Sequence, residues 1–316
     1  MITTILKSIE ENRRFLVVSH ESPDGDALGS TLALANALRE MGKDVVALNC
    51  DGIPAAFDFL PGAETVVRSL ENEVPFDVGF VLDAGELRRA GPRVRDLCRV
   101  LVNIDHHPYS EEFGEIHYVD EGASATGALI YRILTAKCHP ISLDVAACIY
   151  TAVLSDTGSF RYSNANPEAF RIAAEMVECG IDPWEIASGL YESQAETRLR
   201  LLALALATLT VSASGQIASV SVTETMMRQA GAGPEHTDGF VNYPRSIRGV
   251  EVGLFFREVA SGQFKVGFRS KGRIDVGALA RAFGGGGHHN AAGALVHGSL
   301  EDVRDIVLAR LDTLLV

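Results

Sequence analysis

The sequence predicts an α/β protein of two domains, an N-terminal one on a parallel sheet and a smaller one on a mixed sheet. Three observations carry this. The first half alternates short apolar runs with amphipathic helical stretches, as β-α-β units require. Beyond residue 210, alternating runs flank Gly-containing turns, as hairpins do. At 316 residues the chain is long enough for two separate cores.

Residues 1–14 set Ile2, Ile5, Leu6 and Ile9 among Lys7, Glu10, Glu11, Arg13 and Arg14, an amphipathic helix rather than a signal segment. Phe15 to Val18 is a buried strand, and Leu28, Leu32, Leu34, Ala35 and Leu38 a helix closed by Gly42. Strands are expected at 44–49, 78–83, 100–105 and, at the sheet edge, 115–120. An irregular stretch with Pro54 and Pro61 and a short helix behind Pro92 separate them. From Ser124 to Leu209 the pattern is helical, broken at Gly158, Pro167, Gly180 and Pro183. This places domains at 1–190 and 210–316, with a helical linker at 191–209. In the second domain, 211–213 and 217–222 flank Ser214-Gly215-Gln216, and 250–259 and 263–268 flank Ser261-Gly262. A helix at 275–283 enters a glycine-rich run, and Val303, Ile306, Val307, Leu311 and Leu314 form a last amphipathic helix.

The composition, 47% hydrophobic and 22% charged, is that of a globular protein. The longest apolar run, near Leu201 to Val211, is too short to span a bilayer, so no membrane partner is expected. Five scattered cysteines suggest reduced, mostly buried thiols in a cytoplasmic protein. The net charge of −13 argues against binding long or duplex nucleic acid. Residues 245–281, however, hold eight Lys/Arg against three acids, a +5 island in a chain that is −18 elsewhere. Such an island suits a small anionic ligand.

The chemistry gathers where strands end. His20, Asp24 and Asp26 crowd Ser19-His20-Glu21-Ser22-Pro23-Asp24-Gly25-Asp26, between the first strand and its helix. A Pro-Asp-Gly turn with Asp24 as helix cap explains that stretch equally well by itself. Yet Asp83 ends Phe80-Val81-Leu82, Asp105-His106-His107 ends Leu101-Val102-Asn103-Ile104, and Asp156 ends an apolar helix. Parallel neighbours bring such ends together, and open α/β sheets bind ligands there. Four Asp with one or two His is a hard, oxygen-rich set with borderline nitrogen. It favours Mn²⁺, with Mg²⁺ or Co²⁺ as alternatives, over zinc or calcium. Carboxylates so crowded repel one another unless two cations sit among them, and a metal pair about 3.5–4 Å apart is the usual clamp for phosphoester hydrolysis.

In the second domain, Gly284-Gly285-Gly286-Gly287-His288 lets backbone N–H groups approach an anion, beside Arg269, Ser270, Lys271 and Arg273. His289 is read as incidental. Arg161 and Tyr162 are read as facing either the site or solvent.

Asp105-His106-His107 at a strand end, with His20-x-x-x-Asp24-x-Asp26, Asp83 and Asp156, resembles the DHH phosphoesterases. Gly284-Gly285-Gly286-Gly287-His288-x-x-Ala291-Ala292-Gly293 resembles the signature of their DHHA1 domain. The likeness covers nearly the whole chain. It implies that His20, Asp24 and Asp83 hold one metal and that Asp26, Asp83, His106 and Asp156 hold a second, with Asp83 bridging. Asp83, Asp105 and His107 are then the catalytic group, His107 facing the substrate phosphate. Arg269, Ser270, Lys271, Gly285, Gly286, Gly287 and His288 bind substrate, and the active site lies in the cleft between the domains. Within the family, the compact chain without transmembrane, sensor or extra nucleic-acid-binding segments resembles the nanoRNase and pAp phosphatase type. These enzymes act on short single-stranded, 5′-phosphorylated RNA or on pAp. A soluble cyclic or linear dinucleotide phosphodiesterase, a single-strand exonuclease and an inactive nucleotide sensor stay as alternatives, as does a homodimer.

Overall fold

The structure, a computed structural model, describes residues 1–70, 75–91 and 93–314. Two compact units divide the chain, Met1–Ser193 and Gln194–Val316.

The first unit runs α1 (Ile2–Glu11), β1 (Arg14–Ser19), α2 (Gly25–Glu40), β2 (Asp44–Leu48), β3 (Val66–Val67) and β4 (Phe76–Leu82). It continues through α3 (Leu87–Ala90), α4 (Val94–Leu97), β5 (Cys98–Asp105), β6 (Ile116–Val119), α5 (Thr126–Ala136), α6 (Leu143–Asp156), α7 (Pro167–Glu178) and α8 (Pro183–Ala187). The sheet order is β3-β2-β1-β4-β5-β6, every pair parallel. The expected strands are present, with β6 at the edge. The two-residue β3 lies inside the stretch read as irregular, too short to leave a periodic trace. Pro92 lies outside the described residues, and α4 follows it.

Both sheet faces are covered, which is why the strands read as unbroken apolar runs. Phe15, Val17, Phe80 and Ile104 pack against Leu28, Leu32, Ile130 and Ile149 on one face, while Leu16, Val18, Val81 and Leu101 meet Ala90, Val94 and Leu97 on the other. Strand order reverses direction between β1 and β4, and doubly wound sheets bind ligands outside the carboxyl ends at such a switch point.

Glycine lets α2 lie unusually close to α6. A Cβ on Gly29 would stand 2.6 Å from the Cys148 carbonyl and 2.9 Å from the Ala152 nitrogen, and one on Gly25 would stand 2.5 Å from Ser155 Oγ. One turn of each helix is thereby drawn together beside Asp24, Asp26 and Asp156.

The second unit runs α9 (Glu196–Leu206), β7 (Thr210–Val211), β8 (Ile217–Val222), α10 (Glu224–Ala230), α11 (Asn242–Ser246) and β9 (Val252–Ala260). There follow β10 (Gln263–Ser270), α12 (Val276–Ala282), β11 (Gly286–His288), β12 (Ala291–His297) and α13 (Leu300–Asp312). Its sheet, β11-β12-β10-β9-β8-β7, is mixed, with β8 and β9 parallel and the other pairs antiparallel. Val252, Leu254, Phe256, Phe264, Val266 and Phe268 bury one face under α12 and α13. On the other face Val220, Val222 and Phe255 meet Leu201, Met227 and Phe240. Both expected hairpins form. The glycine run, expected as a loop, is partly the short strand β11, because pairing with β12 imposes extended backbone on residues of low strand propensity.

The five thiols are free, but Cys50, Cys138 and Cys179 are exposed and only Cys98 and Cys148 are buried. The expectation of mostly buried cysteines therefore fails, since the exposed three lie in turns and at a helix end rather than in apolar runs. Among the described residues no helix is long and apolar enough to cross a membrane.

The close approach of α2 and α6 yields a stability prediction. Gly29→Val should lower stability by about 1–3 kcal/mol, because the backbone of α6 cannot yield to the added carbons. A urea transition midpoint that does not move, at unchanged slope, would refute this account.

Candidate active site

Strand register assembles the first row of the site. Ser19 pairs with Leu82, and Leu82 with Ile104, so the next residues along, His20, Asp83 and Asp105, stand side by side at the carboxyl edge. Asp83 holds a left-handed backbone, φ 57°, a conformation non-glycine residues seldom adopt.

Asp24 caps α2, its Oδ1 accepting from the Asp26 and Ala27 N–H groups at 3.1 and 3.0 Å. The capping reading and the ligand reading of Asp24 are thus compatible, since the same carboxylate lies 4.0 Å from His20 Nε2. Asp26 is buried. It accepts from Thr126 N at 2.6 Å, Gly127 N at 2.9 Å and Ser30 Oγ at 2.8 Å. The positive N-terminus of α5 is aimed at this carboxylate. Asp156, the last residue of α6, is steadied by Asn164 Nδ2 at 2.9 Å.

Asp83 stands between two donor groups. Its Oδ2 lies 3.6 Å from His20 Nε2, and its Oδ1 lies 3.5 Å from His106 Nε2. His106 Nε2 in turn lies 3.5 Å from Asp26 and 3.8 Å from Asp156. His20-Asp24-Asp83 and Asp26-His106-Asp156 are each close enough for one ion to touch all three residues. The ring nitrogens away from these groups face backbone carbonyls, His20 Nδ1 at Glu21 O (2.7 Å) and His106 Nδ1 at Ala123 O (3.4 Å). That partner orients an imidazole so that Nε2 is presented to a metal. Carboxylate-rich with two imidazoles, the donor set fits divalent cations that accept both oxygen and nitrogen.

The electrostatics reflect the crowding. Burial, then repulsion from Asp83, Asp156 and Asp24, raises the Asp26 pKa well above the ordinary range. Burial pushes Asp156 up to about 6, the neighbouring carboxylates adding to it against the pull of His106. Asp83 goes the other way. Burial opposes its charge, but hydrogen bonds from His107 and His20 hold it well below the usual carboxylate value.

Asp105 is placed differently from the other acids. Its Oδ1 accepts the His106 N–H at 2.8 Å and the His107 N–H at 3.0 Å and meets His107 Nδ1 at 2.7 Å, while Oδ2 accepts the Gly85 N–H at 2.8 Å. So occupied, it orients His107. Burial disfavours the imidazolium of His107, yet Asp105 and Asp83 outweigh it and raise the pKa well above the ordinary value.

Several supporting groups escaped the sequence reading. Thr126 donates to Asp83 Oδ1 at 3.1 Å besides its contact to Asp26, Gly127 and Ser30 also hold Asp26, and Asn164 holds Asp156. Ser124-Ala125-Thr126-Gly127 at a helix start was the available signal. Arg161 is tied to the Gly158 carbonyl at 2.6 Å, and the Tyr162 ring lies where a Cβ on Gly158 would stand.

In the second unit, Arg269 pairs with Ala291, and Ala291 with His288, so Arg269 and His288 flank one alanine across three strands. Ser270 is buried, its Oγ 3.1 Å from Asn290 Oδ1, and Lys271 Nζ donates to the Ile247 carbonyl at 3.0 Å. A Cβ on Gly285 would come within 2.1 Å of the Gly293 carbonyl, and one on Gly287 within 2.5 Å of the Ala291 carbonyl. Gly286 meets nothing and needs no positive φ, so packing does not explain its lack of a side chain. His289 lies against the Gly272 carbonyl at 3.0 Å, a loop staple.

Comparison with known proteins supplies the family. The N-terminal domain of the DHH family matches residues 14–153, and the DHHA1 domain matches 214–315. The chain is 32% identical to the bifunctional oligoribonuclease and PAP phosphatase of Thermus thermophilus, over 94% of this chain and 88% of that protein. An exopolyphosphatase-related protein from Bacteroides fragilis superposes with a TM-score of 0.92 at 31% identity, covering 99% of this chain and 95% of that one. The exonuclease RecJ of Thermus thermophilus, solved with Mn²⁺, shares the fold at a TM-score of 0.53 and 16% identity, over 99% of this chain and 53% of its own. The chain belongs to the DHH/DHHA1 family of phosphoesterases, hydrolases of phosphodiester and phosphate-ester bonds.

Proposed function

We propose that the protein hydrolyses short 5′-phosphorylated oligoribonucleotides and the 3′-phosphate of pAp, using two divalent cations, with Mn²⁺ the preferred ion. The observation that carries this reading is Asp83, whose two oxygens face two separate donor groups at 3.6 and 3.5 Å. His20, Asp24 and Asp83 would hold one ion, and Asp26, Asp83, His106 and Asp156 the other. When bound, such a pair supplies an activated water and neutralises charge on the reacting phosphate. Asp105 keeps His107 protonated and aimed, so that His107 stabilises the phosphoryl oxygens or gives a proton to the leaving oxygen. Arg269, His288 and the open backbone at Gly286 bind the terminal phosphate in the second unit. A chain of net charge −13 with one small basic island selects short substrates over long strands.

The test of this reading is Asp83→Asn, chosen because Asn tolerates the left-handed backbone. It should cost more than about 100-fold in kcat on pApA with Mn²⁺, beyond what losing a merely supporting group costs. Near-normal turnover at full metal content would overturn the two-cation reading.

His107→Ala should cripple kcat while elemental analysis finds the bound metal unchanged. Loss of one ion per chain would instead make His107 a ligand.

The raised pKa values of Asp26 and Asp156 imply that protons compete with the cation. Carboxylates ligate only when ionised, so affinity falls as pH drops through about 6, where Asp156 takes up its proton. Calorimetric titration of the metal-stripped protein with Mn²⁺ should show this weakening, together with proton release near pH 6. Affinity independent of pH between 5.5 and 7.5 would contradict it.

A further inference from the structure

One strongly basic group in the second unit has no task so far. Arg257 on β9 is half-buried and makes no hydrogen bond or ion pair with any described residue; the acid that acts on it electrostatically is Glu235. Directly opposite it in the antiparallel pair stands Lys265 of β10. Like charges facing each other across a ladder are destabilising. Side chains alternate along a strand, and Lys265 and Arg269 therefore leave β10 on the same face, four residues or about 13 Å apart. Gly267, between them on that face, adds no side chain.

Beside Arg257, a cavity of about 540 Å³ opens between β9 and α10, lined on its apolar side by Met227, Ala232, Pro234 and Val259. That is room for a small organic group. The rim acids are committed to α10: Glu224 faces Arg228 at 3.7 Å, and Glu258 accepts the Glu224 N–H at 3.0 Å. Neither pairs with Arg257.

We propose that Arg257 and Lys265 together hold a second phosphate of the oligoribonucleotide, farther along the chain from the one at Arg269, with a base of that part of the substrate entering the cavity beside α10. This rests on the reading of the protein as a short-RNA hydrolase with Arg269 at the terminal phosphate. The pair then sets substrate length: pAp and dinucleotides end before reaching it, whereas longer oligomers engage it. A phosphate shared by the two side chains relieves their repulsion and gives the half-buried guanidinium its missing partner.

The test compares kcat/KM on a 5′-phosphorylated dinucleotide and pentanucleotide, with Mn²⁺, for the wild type, Arg257→Gln, Arg257→Lys and Lys265→Gln. The pentamer-to-dimer ratio should fall at least about fivefold in both Gln variants, mainly through KM, and recover in Arg257→Lys, as loss of a phosphate contact predicts. Anisotropy of a 3′-labelled pentamer should show its salt slope reduced by about 0.7 in each Gln variant, the share of one single-strand phosphate. Equal losses on dimer and pentamer, accompanied by a lowered melting temperature, would assign the pair a structural role and overturn the proposal. An unchanged ratio would do the same. If the wild type cleaved neither substrate, the functional reading would fail by itself. Pentamer affinity in the anisotropy assay would still decide this proposal, and equal affinity in wild type and Arg257→Gln would end it.

Discussion

The carboxyl edge of the first sheet answers to one constraint, the burial of negative charge. Asp26, Asp83 and Asp105 are almost wholly removed from solvent, and Asp24 and Asp156 lie against the same imidazoles. Uncompensated, such a group would neutralise itself by taking up protons or would open the fold. The chain instead spends backbone N–H groups on it: two from the start of α5 on Asp26, two from the start of α2 on Asp24, and three on Asp105. What these donors leave uncovered is the side of Asp83, Asp26 and Asp156 that faces His20 and His106, where a cation is the natural complement.

The second unit meets the opposite problem, concentrating positive charge without collapsing its strands. Small residues answer it. Gly285 and Gly287 let β11 lie against β12, and Ala291 separates Arg269 from His288 with a single methyl group. The glycine run thus serves two ends, three of its members satisfying backbone conformation or packing and Gly286 leaving the chain exposed.

Much of this was legible in the sequence because it is written locally. His20, Asp83 and Asp105 each follow an apolar run, so their place at a strand end could be read without knowing which strands pair. Asp156 was legible in the same way at the end of α6. The groups that hold the carboxylates were not, since Thr126 and Gly127 find Asp26 across 100 and 101 residues of chain. Asp105 could be named as a member of the site, but its task of aiming His107 depends on three N–H groups converging, and no residue pattern records that. The strand β11 was illegible for another reason: glycine has no strand preference, and a neighbour imposes the conformation. Cys50, Cys138 and Cys179 were misjudged because burial was inferred from residue type rather than from position.

The sheet order has a temporal side. β1 lies between β2 and β4, so the edge that gathers His20 and Asp83 exists only after β4 has inserted beside a strand made some sixty residues earlier. Asp156 arrives later still, with α6. Long-range parallel pairing is slow to form, because chain entropy is lost before contacts return it. During synthesis, then, Asp83, Asp105 and Asp156 join Asp24 and Asp26 one after another, as the sheet closes and α6 docks. His20, Asp24 and Asp83 thus meet as soon as β4 pairs with β1, whereas the group of Asp26, His106 and Asp156 is complete only once α6 has docked.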